Sequence, residues 1–316
     1  MFRLPVLLAL VFSLGLAQAA DSAIDIPMTA KRVGQYSYYI QGLSGAASTE
    51  NKGFMSNAGF VITREGVVVF DALASPPLAE KMLGLIRKIT SQPIKRVIVS
   101  HYHADHFYGL QVFKKAGAEI WAHKNAQGQT GTEAAQLRLE QRKEILFPWV
   151  DEHTQLVEPD VYLDGDTDFK LGGVHFNIRY VGPAHSAEDI AMLVREDRAL
   201  FAGDLVFKGR VPYVGEADSK AWLASLDKLI AMKPRVLIPG HGAASTTPLK
   251  DLILTRDYLN FIRSEMGKAV ENLTPFDAAY AATDWSKYRD MPAFEEANRP
   301  NAYNTYLLME QELIRQ

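Results

Sequence analysis

Five histidines and two aspartates form the group of residues with the clearest capacity for chemistry. Three of the histidines and one aspartate lie within the short stretch 100–106. In an extended segment, residues two apart point the same way, so His101 and His103 can share one ion. If the chain turns into a helix after His103, Asp105 and His106 face a second position nearby. Because imidazole is the commonest transition-metal ligand, we expect a metal site here rather than an inert surface cluster.

Three further metal-capable residues have a common local placement. His185, Asp204 and His241 each follow a predicted strand and are preceded by the Gly or Pro that ends it. The strand ends of α/β layers are where ligands gather, so together these residues can complete two sets of metal ligands. His123 also follows a strand but fits no ligand pattern, and we expect it at the surface.

The elements that must position these residues are predicted from apolar periodicity. Short apolar or alternating runs predict strands at residues 35–41, 58–62, 67–70, 96–99, 119–122, 174–180, 190–194, 199–202 and 236–238. Helical spacing predicts helices at 76–89, 107–115, 124–146 and 219–231, and from residue 247 to the end. Clustered strands followed by strands that alternate with helices favour two sheets covered by helices, with a helical tail.

The composition excludes several classes of protein. The chain has 316 residues, of which 47% are hydrophobic, which is too apolar for a disordered protein. Its 34 Lys and Arg against 37 Asp and Glu offer no basic field for a nucleic acid. Without any Cys, a transition metal must be bound by His and carboxylates. The length favours one large α/β domain with a helical extension.

The first 19 residues have the features of a secretory signal peptide. Arg3 precedes an apolar stretch at 4–16, and Ala17 and Ala19 are small residues at the cleavage positions. This stretch is too short to span about 30 Å of hydrocarbon, which needs roughly 20 residues. We therefore expect a periplasmic or secreted protein whose mature form has no membrane span.

The ligand pattern resembles that of the metallo-β-lactamase superfamily, from about residue 35 to residue 241. The resemblance implies an α/β fold, a four-layer αβ/βα sandwich with the metals at one edge. On this basis residues 20–247 form the catalytic domain, and residues 248–316 form a helical extension packed on it. Asp71 matches an aspartate that supports the ligand loop without binding metal in that family.

The resemblance also implies a division of the ligands between two zinc ions. His101, His103 and His185 would hold the first ion, Asp105, His106 and His241 the second, and Asp204 would bridge them. The β-lactamases proper usually have Cys or Ser in place of Asp204. Residues 201–207 look closest to the glyoxalase II type, but the glutathione-binding stretch that follows in that family is replaced here by residues 208–213. Quorum-signal lactonases have Tyr where this chain has Phe207.

The implied activity is that of an exported binuclear zinc hydrolase acting on a small molecule. A metal-bridged hydroxide would attack the carbonyl of an ester, thioester, lactone or lactam, with Asp105 as the catalytic residue that positions it or transfers its proton. Iron or manganese would also suit these ligands. Two alternatives stay open: an iron persulfide dioxygenase that needs only His101, His103, His185 and Asp204, and a non-catalytic zinc-binding protein. The chain is similar to exported hydrolases associated with sulfur-oxidation or quinoprotein systems.

Overall fold

The computed structural model describes residues 24–215 and 217–315. The predicted signal peptide lies outside the described residues. Two β-sheets pack face to face, and helices cover the outer face of each sheet. This arrangement confirms the predicted α/β sandwich with a C-terminal helical extension.

The first sheet has seven strands whose spatial order follows the chain. They are β1 (Ala30–Arg32), β2 (Ser37–Ile40), β3 (Ala58–Ile62), β4 (Val67–Phe70), β5 (Ile94–Ile98), β6 (Glu119–His123) and β7 (Val161–Leu163). The strands from β1 to β4 are antiparallel neighbours, and those from β4 to β7 are parallel. The carboxyl ends of β4, β5 and β6 therefore lie at one edge.

The second sheet has five strands, in the spatial order β12-β11-β10-β9-β8. They are β8 (Thr167–Leu171), β9 (Val174–Tyr180), β10 (Ile190–Val194), β11 (Ala199–Phe201) and β12 (Val236–Ile238). The strands from β8 to β11 are antiparallel neighbours, whereas β11 and β12 are parallel. As a result β9, β11 and β12 all run in the same direction and end at the same edge.

Eight α-helices complete the described part of the chain. They are α1 (Pro76–Ile89), α2 (Ala104–Phe107), α3 (Leu110–Lys115), α4 (Glu133–Leu146), α5 (Ser219–Ala231), α6 (Pro248–Glu271), α7 (Phe276–Ala282) and α8 (Phe294–Ile314). The apolar face of α1, including Leu78 and Met82, packs on the first sheet. Trp222 of α5 and Leu259 of α6 pack on the second sheet. None of the helices within 24–215 and 217–315 has the length and hydropathy of a membrane span.

The core between the sheets consists of the inward-facing side chains of both. Phe70 and Ile98 of the first sheet meet Phe176 and Phe201 of the second. Gly59 has no side chain because the Phe201 ring occupies that space, and a Cβ there would lie 2.1 Å from it. This close approach fixes how the two sheets are placed relative to each other, and hence how their loops meet at the edge.

The structure differs from the sequence prediction in several elements. The helix predicted at 107–115 is divided into α2 and α3, and the helical stretch predicted from 247 to the end consists of α6, α7 and α8. Strands β1, β7 and β8 were not predicted, because their side chains are mostly half-buried or exposed and lack a strong apolar pattern. The predicted helix 124–146 is shorter than expected. Gly128, with φ of 76°, interrupts it, and α4 begins only after Thr132, whose hydroxyl accepts the Ala135 N–H at 3.1 Å.

Candidate metal centre

The seven predicted ligands converge at the edge where parallel strands of both sheets end. The loop after β5 and the short helix α2 supply His101, His103, Asp105 and His106, and the loops after β9, β11 and β12 supply the other three. Their ligand atoms form two groups, and within each group all atoms lie within 4.8 Å of one another: His101, His103, His185 and Asp204 in the first, and Asp105, His106 and His241 in the second. Each sheet therefore contributes to both groups.

The second group has the dimensions of a tetrahedral metal site. His106 Nε2 lies 3.1 Å from Asp204 Oδ1 and 3.5 Å from Asp105 Oδ2. His241 Nε2 lies 3.3 Å from each of the same two oxygens. A regular tetrahedron with edges of this length has its centre about 2.0 Å from each corner, which is the usual zinc–nitrogen or zinc–oxygen distance.

Asp204 faces both groups with different oxygens. Its Oδ1 faces His106 and His241, as described above. Its Oδ2 lies 3.5 Å from His185 Nε2 and 4.0 Å from His101 Nε2 in the first group. Nδ1 of His103 completes that group, at 2.9 Å from His185 Nε2. A carboxylate with one oxygen toward each group has the geometry of a bridging ligand.

Hydrogen bonds to Nδ1 orient four of the five imidazoles. The acceptors are Ser100 Oγ for His101 at 2.9 Å, Asp71 Oδ2 for His106 at 2.9 Å, the Tyr213 carbonyl for His185 at 2.9 Å, and the Met55 carbonyl for His241 at 2.8 Å. Because Nδ1 donates in each case, Nε2 is the nitrogen left to bind a metal, and it points to the centre. This outer layer of hydrogen bonds is typical of metal-binding histidines.

Buried atoms without hydrogen bonds show that the residues fit a metal ion. His101 Nε2, His106 Nε2, Asp105 Oδ2 and Asp204 Oδ1 are all buried and have no hydrogen-bond partner. Leaving four such atoms unsatisfied in one place is costly for a folded protein. Divalent cations bound in the two groups would satisfy all of them.

Protonation differs between the two groups. Burial lowers the pKa of His101 well below its ordinary value and lowers the pKa of His103 to about 3, so both imidazoles are neutral. Burial also lowers the pKa of His106, but the negative charges of Asp204 and Asp105 outweigh this effect. The pKa of His106 is therefore raised well above its ordinary value. Without metal, a proton therefore partly neutralises the carboxylates of the second group.

Asp71 has the supporting position that the family resemblance implies. It follows β4 with a φ of 62°, in the left-handed region that Asp tolerates better than most residues. Its Oδ1 accepts the Ser100 N–H at 2.7 Å, and its Oδ2 accepts the Ser100 hydroxyl at 2.8 Å and the His106 Nδ1–H. The carboxylate thus connects β4 to the ligand loop and belongs to neither metal group.

Asn57 and Gly240 fix the loops that carry Asp204 and His241. The Asn57 amide donates to the carbonyls of Pro239 and Gly242, both at 2.7 Å, which ties the His241 loop to the first sheet. Gly240 is required by packing, because a Cβ there would lie 2.0 Å from Asp204 Oδ1. Sequence analysis did not identify Asn57, since an isolated Asn before a strand carries no distinctive signal.

A buried arginine beside the metal groups was also not identified as a site residue. Arg210 is 7% exposed, and its guanidinium donates to the carbonyls of Gly45 and Val211. Burial lowers its pKa, and the charges of Asp204 and Asp105 oppose that effect. In the part of the chain that the structure describes, no carboxylate forms an ion pair with it. Only burial distinguishes this arginine from a solvated one, and the sequence does not show burial.

The expectation that His123 lies at the surface is wrong. It is 2% exposed, and its ring stacks on Tyr180 of the second sheet with centroids 3.8 Å apart. The ring is buried because β6 turns it toward the second sheet, where Tyr180 covers it. It belongs to neither metal group.

Comparison with known protein families identifies the chain. The family model described as the metallo-beta-lactamase superfamily matches residues 51–241. The chain belongs to this superfamily. The matched region contains all seven converging ligands, and the known relatives are hydrolases, so the chain is a metal-dependent hydrolase of this superfamily.

Curated relatives include sulfatases and β-lactamases. The linear primary-alkylsulfatase of Pseudomonas sp. (strain ATCC 19151) is 24% identical over 248 residues, which cover 67% of this chain and 47% of the sulfatase. Metallo-beta-lactamase IND-1 of Chryseobacterium indologenes is 22% identical over 230 residues, which cover 71% of this chain and 84% of the lactamase. The chain thus spans about half the length of the alkylsulfatase it matches.

Solved structures show the same fold. The metallo-beta-lactamase from Pontibacter korlensis matches 74% of this chain and 99% of its own, with a TM-score of 0.60 and 20% identity. The inverting sec-alkylsulfatase Pisa1 from Pseudomonas sp. matches 89% of this chain and 50% of its own, with a TM-score of 0.68 and 16% identity. The latter alignment covers more residues than the 247 that precede the helical extension, so it must extend beyond residue 247. It therefore includes part of the helical extension.

Proposed function

We propose that the protein is an exported binuclear zinc hydrolase that acts on the ester, thioester, lactone or lactam bond of a small molecule. The observation that carries this proposal is the convergence of seven ligand side chains, six of them buried and His103 half-buried, into two groups that share Asp204. A mononuclear iron site would need only the first group. The second group is complete and has near-tetrahedral spacing, which favours two ions with nitrogen and oxygen ligands.

The residues of the chain have distinct roles in this reaction. Two zinc ions, when bound, supply an activated water and polarise the bond to be broken. Asp204 holds the two groups at a fixed separation through its two oxygens. Burial raises the pKa of Asp105, but His106 and His241 outweigh that effect and lower it, so the carboxylate is ionised. Asp105 can therefore position the attacking water by accepting a hydrogen bond from it at a carboxylate oxygen.

A metal analysis with matched histidine variants tests the metal centre. We expect the purified protein to contain two zinc ions per chain, and His103→Ala and Asp105→Ala to lose turnover while remaining folded. His153→Ala is the control, because the His153 side chain is 82% exposed and lies in neither group. Full activity of either ligand variant would refute the assignment. Oxygen uptake on a persulfide would instead support the iron oxidoreductase, and two zinc ions without any turnover would support a non-catalytic binder.

A second candidate function is the hydrolysis of sulfate esters. Arg210 places a buried cation beside the metal groups with no carboxylate partner among the described residues, and such a group suits an anionic substrate. The similarity to two alkylsulfatases, one of which also matches part of the helical extension, supports the same substrate class.

A substrate panel separates the two candidates. The metal-loaded protein would be assayed on thioesters, lactones, β-lactams, phosphoesters and alkyl sulfates. If Arg210 binds an anionic group, Arg210→Met should raise KM for anionic substrates at least tenfold and leave neutral esters nearly unchanged. Arg235→Met is the matched control, because Arg235 is exposed and precedes β12, at the opposite end of that strand from His241. An equal effect on neutral and anionic substrates would contradict this role.

Export is proposed from the first 19 residues alone. Expression of the full chain in a bacterium, followed by cell fractionation and N-terminal sequencing, tests it. We expect a periplasmic or secreted product that begins after Ala19. A cytoplasmic protein that keeps Met1 would contradict the proposal.

A further inference from the structure

The helical extension contains a buried network of polar side chains. Asn298 and Asn301 of α8 are both fully buried and lie one turn apart. The Tyr258 hydroxyl of α6 donates to Asn298 Oδ1 at 3.0 Å and accepts from Asn301 Nδ2 at 2.9 Å. Asn298 Nδ2 donates to the Tyr280 hydroxyl of α7 at 3.1 Å. This network joins the three helices to one another, and within it the Tyr258 hydroxyl is the direct partner of Asn301.

Asn301 uses its remaining hydrogen-bonding capacity on the segment 212–214. Its Nδ2 donates to the Pro212 carbonyl at 2.7 Å, and its Oδ1 accepts the Val214 N–H at 2.8 Å. The orientation of the amide is fixed, because a carbonyl can only accept and a backbone N–H can only donate. Asn304 adds a hydrogen bond to the Gly215 carbonyl at 2.9 Å. The extension therefore holds the backbone on both sides of Tyr213.

The Tyr213 carbonyl contacts the metal centre from the other side of this segment. Asn301 binds the Pro212 carbonyl and the Val214 N–H, which leaves the Tyr213 carbonyl between them to bind another partner. It accepts the Nδ1–H of His185 at 2.9 Å, and His185 Nε2 faces the first metal group.

We propose that Asn301 is a positioning residue through which the helical extension sets the metal affinity of the first group. It acts by holding the Tyr213 carbonyl where it fixes the ring orientation and tautomer of His185. Loss of an outer-layer partner such as the Tyr213 carbonyl typically lowers metal affinity about 10- to 100-fold, which sets the scale expected when its positioning residue is removed. The inference rests on the metal centre of the proposed function and adds a role for a part of the chain that contains none of the seven ligands.

Zinc affinities of variants that retain one group test this role. The His241→Ala background keeps the first group intact, and the His103→Ala background keeps the second. In a chelator competition, adding Asn301→Ala should weaken zinc binding about 10- to 100-fold in the His241→Ala background. It should leave the affinity in the His103→Ala background unchanged within about threefold.

Asn298→Ala is the matched control for the buried network. Asn298 is as buried as Asn301 and shares the Tyr258 partner, but it makes no hydrogen bond to 212–214. We expect this variant to lose stability without a change in first-group affinity. If Asn301→Ala does not fold, Tyr258→Phe replaces it, because it removes one partner of Asn301 without creating a cavity. A several-fold loss confined to the first group is then expected.

The outcomes separate this inference from the proposed function. Failure of the wild-type protein to bind zinc would overturn the metal centre itself. Normal zinc binding by the wild-type protein, with equal first-group affinities in the Asn301 and Asn298 variants, would overturn only the positioning role. Equal losses in both single-group backgrounds would overturn it as well, since they would indicate a general loss of structure.

Discussion

The substitution Gly240→Ala places one methyl group against the bridging carboxylate. The new Cβ would lie 2.0 Å from Asp204 Oδ1, 2.6 Å from the Gly203 carbonyl carbon and 2.8 Å from the Asp204 backbone nitrogen. Two of these three atoms are backbone, so they cannot move aside by a simple rotation. The carboxylate can rotate away, but the backbone contacts are relieved only if the loop itself shifts, so we expect both the carboxylate and the loop to be displaced.

The size of the displacement follows from these distances. A non-bonded carbon and oxygen approach no closer than about 3 Å, so Asp204 Oδ1 or the Gly240 backbone must move by roughly 1 Å. Metal–ligand distances tolerate only about 0.2 Å. The variant should therefore lose Oδ1 as a ligand of the second group. We expect second-group zinc affinity to fall by at least about 100-fold, the upper end of what outer-layer substitutions cause.

Metal content and turnover measure this effect together. Gly240→Ala should retain one zinc ion per chain, bound by the three histidines of the first group, and lose most of its activity. Gly84→Ala is the control, since Gly84 lies in α1 and a Cβ there meets no atom within 4 Å. In that helix Ala should stabilise the fold by roughly 0.5–1 kcal/mol. Two zinc ions and normal turnover in Gly240→Ala would refute the bridging geometry.

Three further predictions concern the same centre. Asp71→Asn should weaken second-group zinc binding about 10- to 100-fold in a chelator competition, because the amide has only one accepting atom and must lose either the Ser100 N–H or the pair of hydrogen bonds from the Ser100 hydroxyl and His106; unchanged affinity would contradict this. Zinc at about 1,000 times its dissociation constant should stabilise the metal-free protein by about 4 kcal/mol per site, seen as a higher unfolding temperature, and an unchanged temperature would argue against binding. On acidification the second group should lose zinc before the first. The pKa of His106 in the second group is raised, whereas the pKa values of His101 and His103 in the first group are lowered, so protons compete with zinc at a higher pH in the second group. Equal loss from both groups during dialysis at falling pH would contradict this order.

The metal ligands could be predicted from the sequence because their types are distinctive and their positions repeat. Each downstream ligand follows an apolar strand that ends in Gly or Pro. Apolar patterning also predicts the bounds of several strands correctly, among them 58–62, 174–180 and 190–194. Strand ends that share an edge necessarily bring their next residues together. A metal-binding residue type placed directly after an apolar strand can be recognised in a single sequence.

The partners of these ligands could not be predicted in the same way. Met55 and Tyr213 act through their backbone carbonyls, which every residue type has, so their identity carries no information. Asn301 is distant in sequence from His185, and its role depends on how α8 packs. Arg210 is distinguished only by its burial. The hairpin of β8 and β9 was missed although its Gly172-Gly173 turn is a strong signal, because β8 itself is barely apolar.

The distribution of ligands over the two sheets has a consequence for how the protein unfolds. Each metal group takes side chains from loops of both sheets, so a bound ion cross-links the two halves of the sandwich along their shared edge. The halves cannot separate while either ion keeps all its ligands. In the metal-loaded protein, release of metal would precede the opening of the core between the sheets, and metal dissociation would then contribute to the lifetime of the native state.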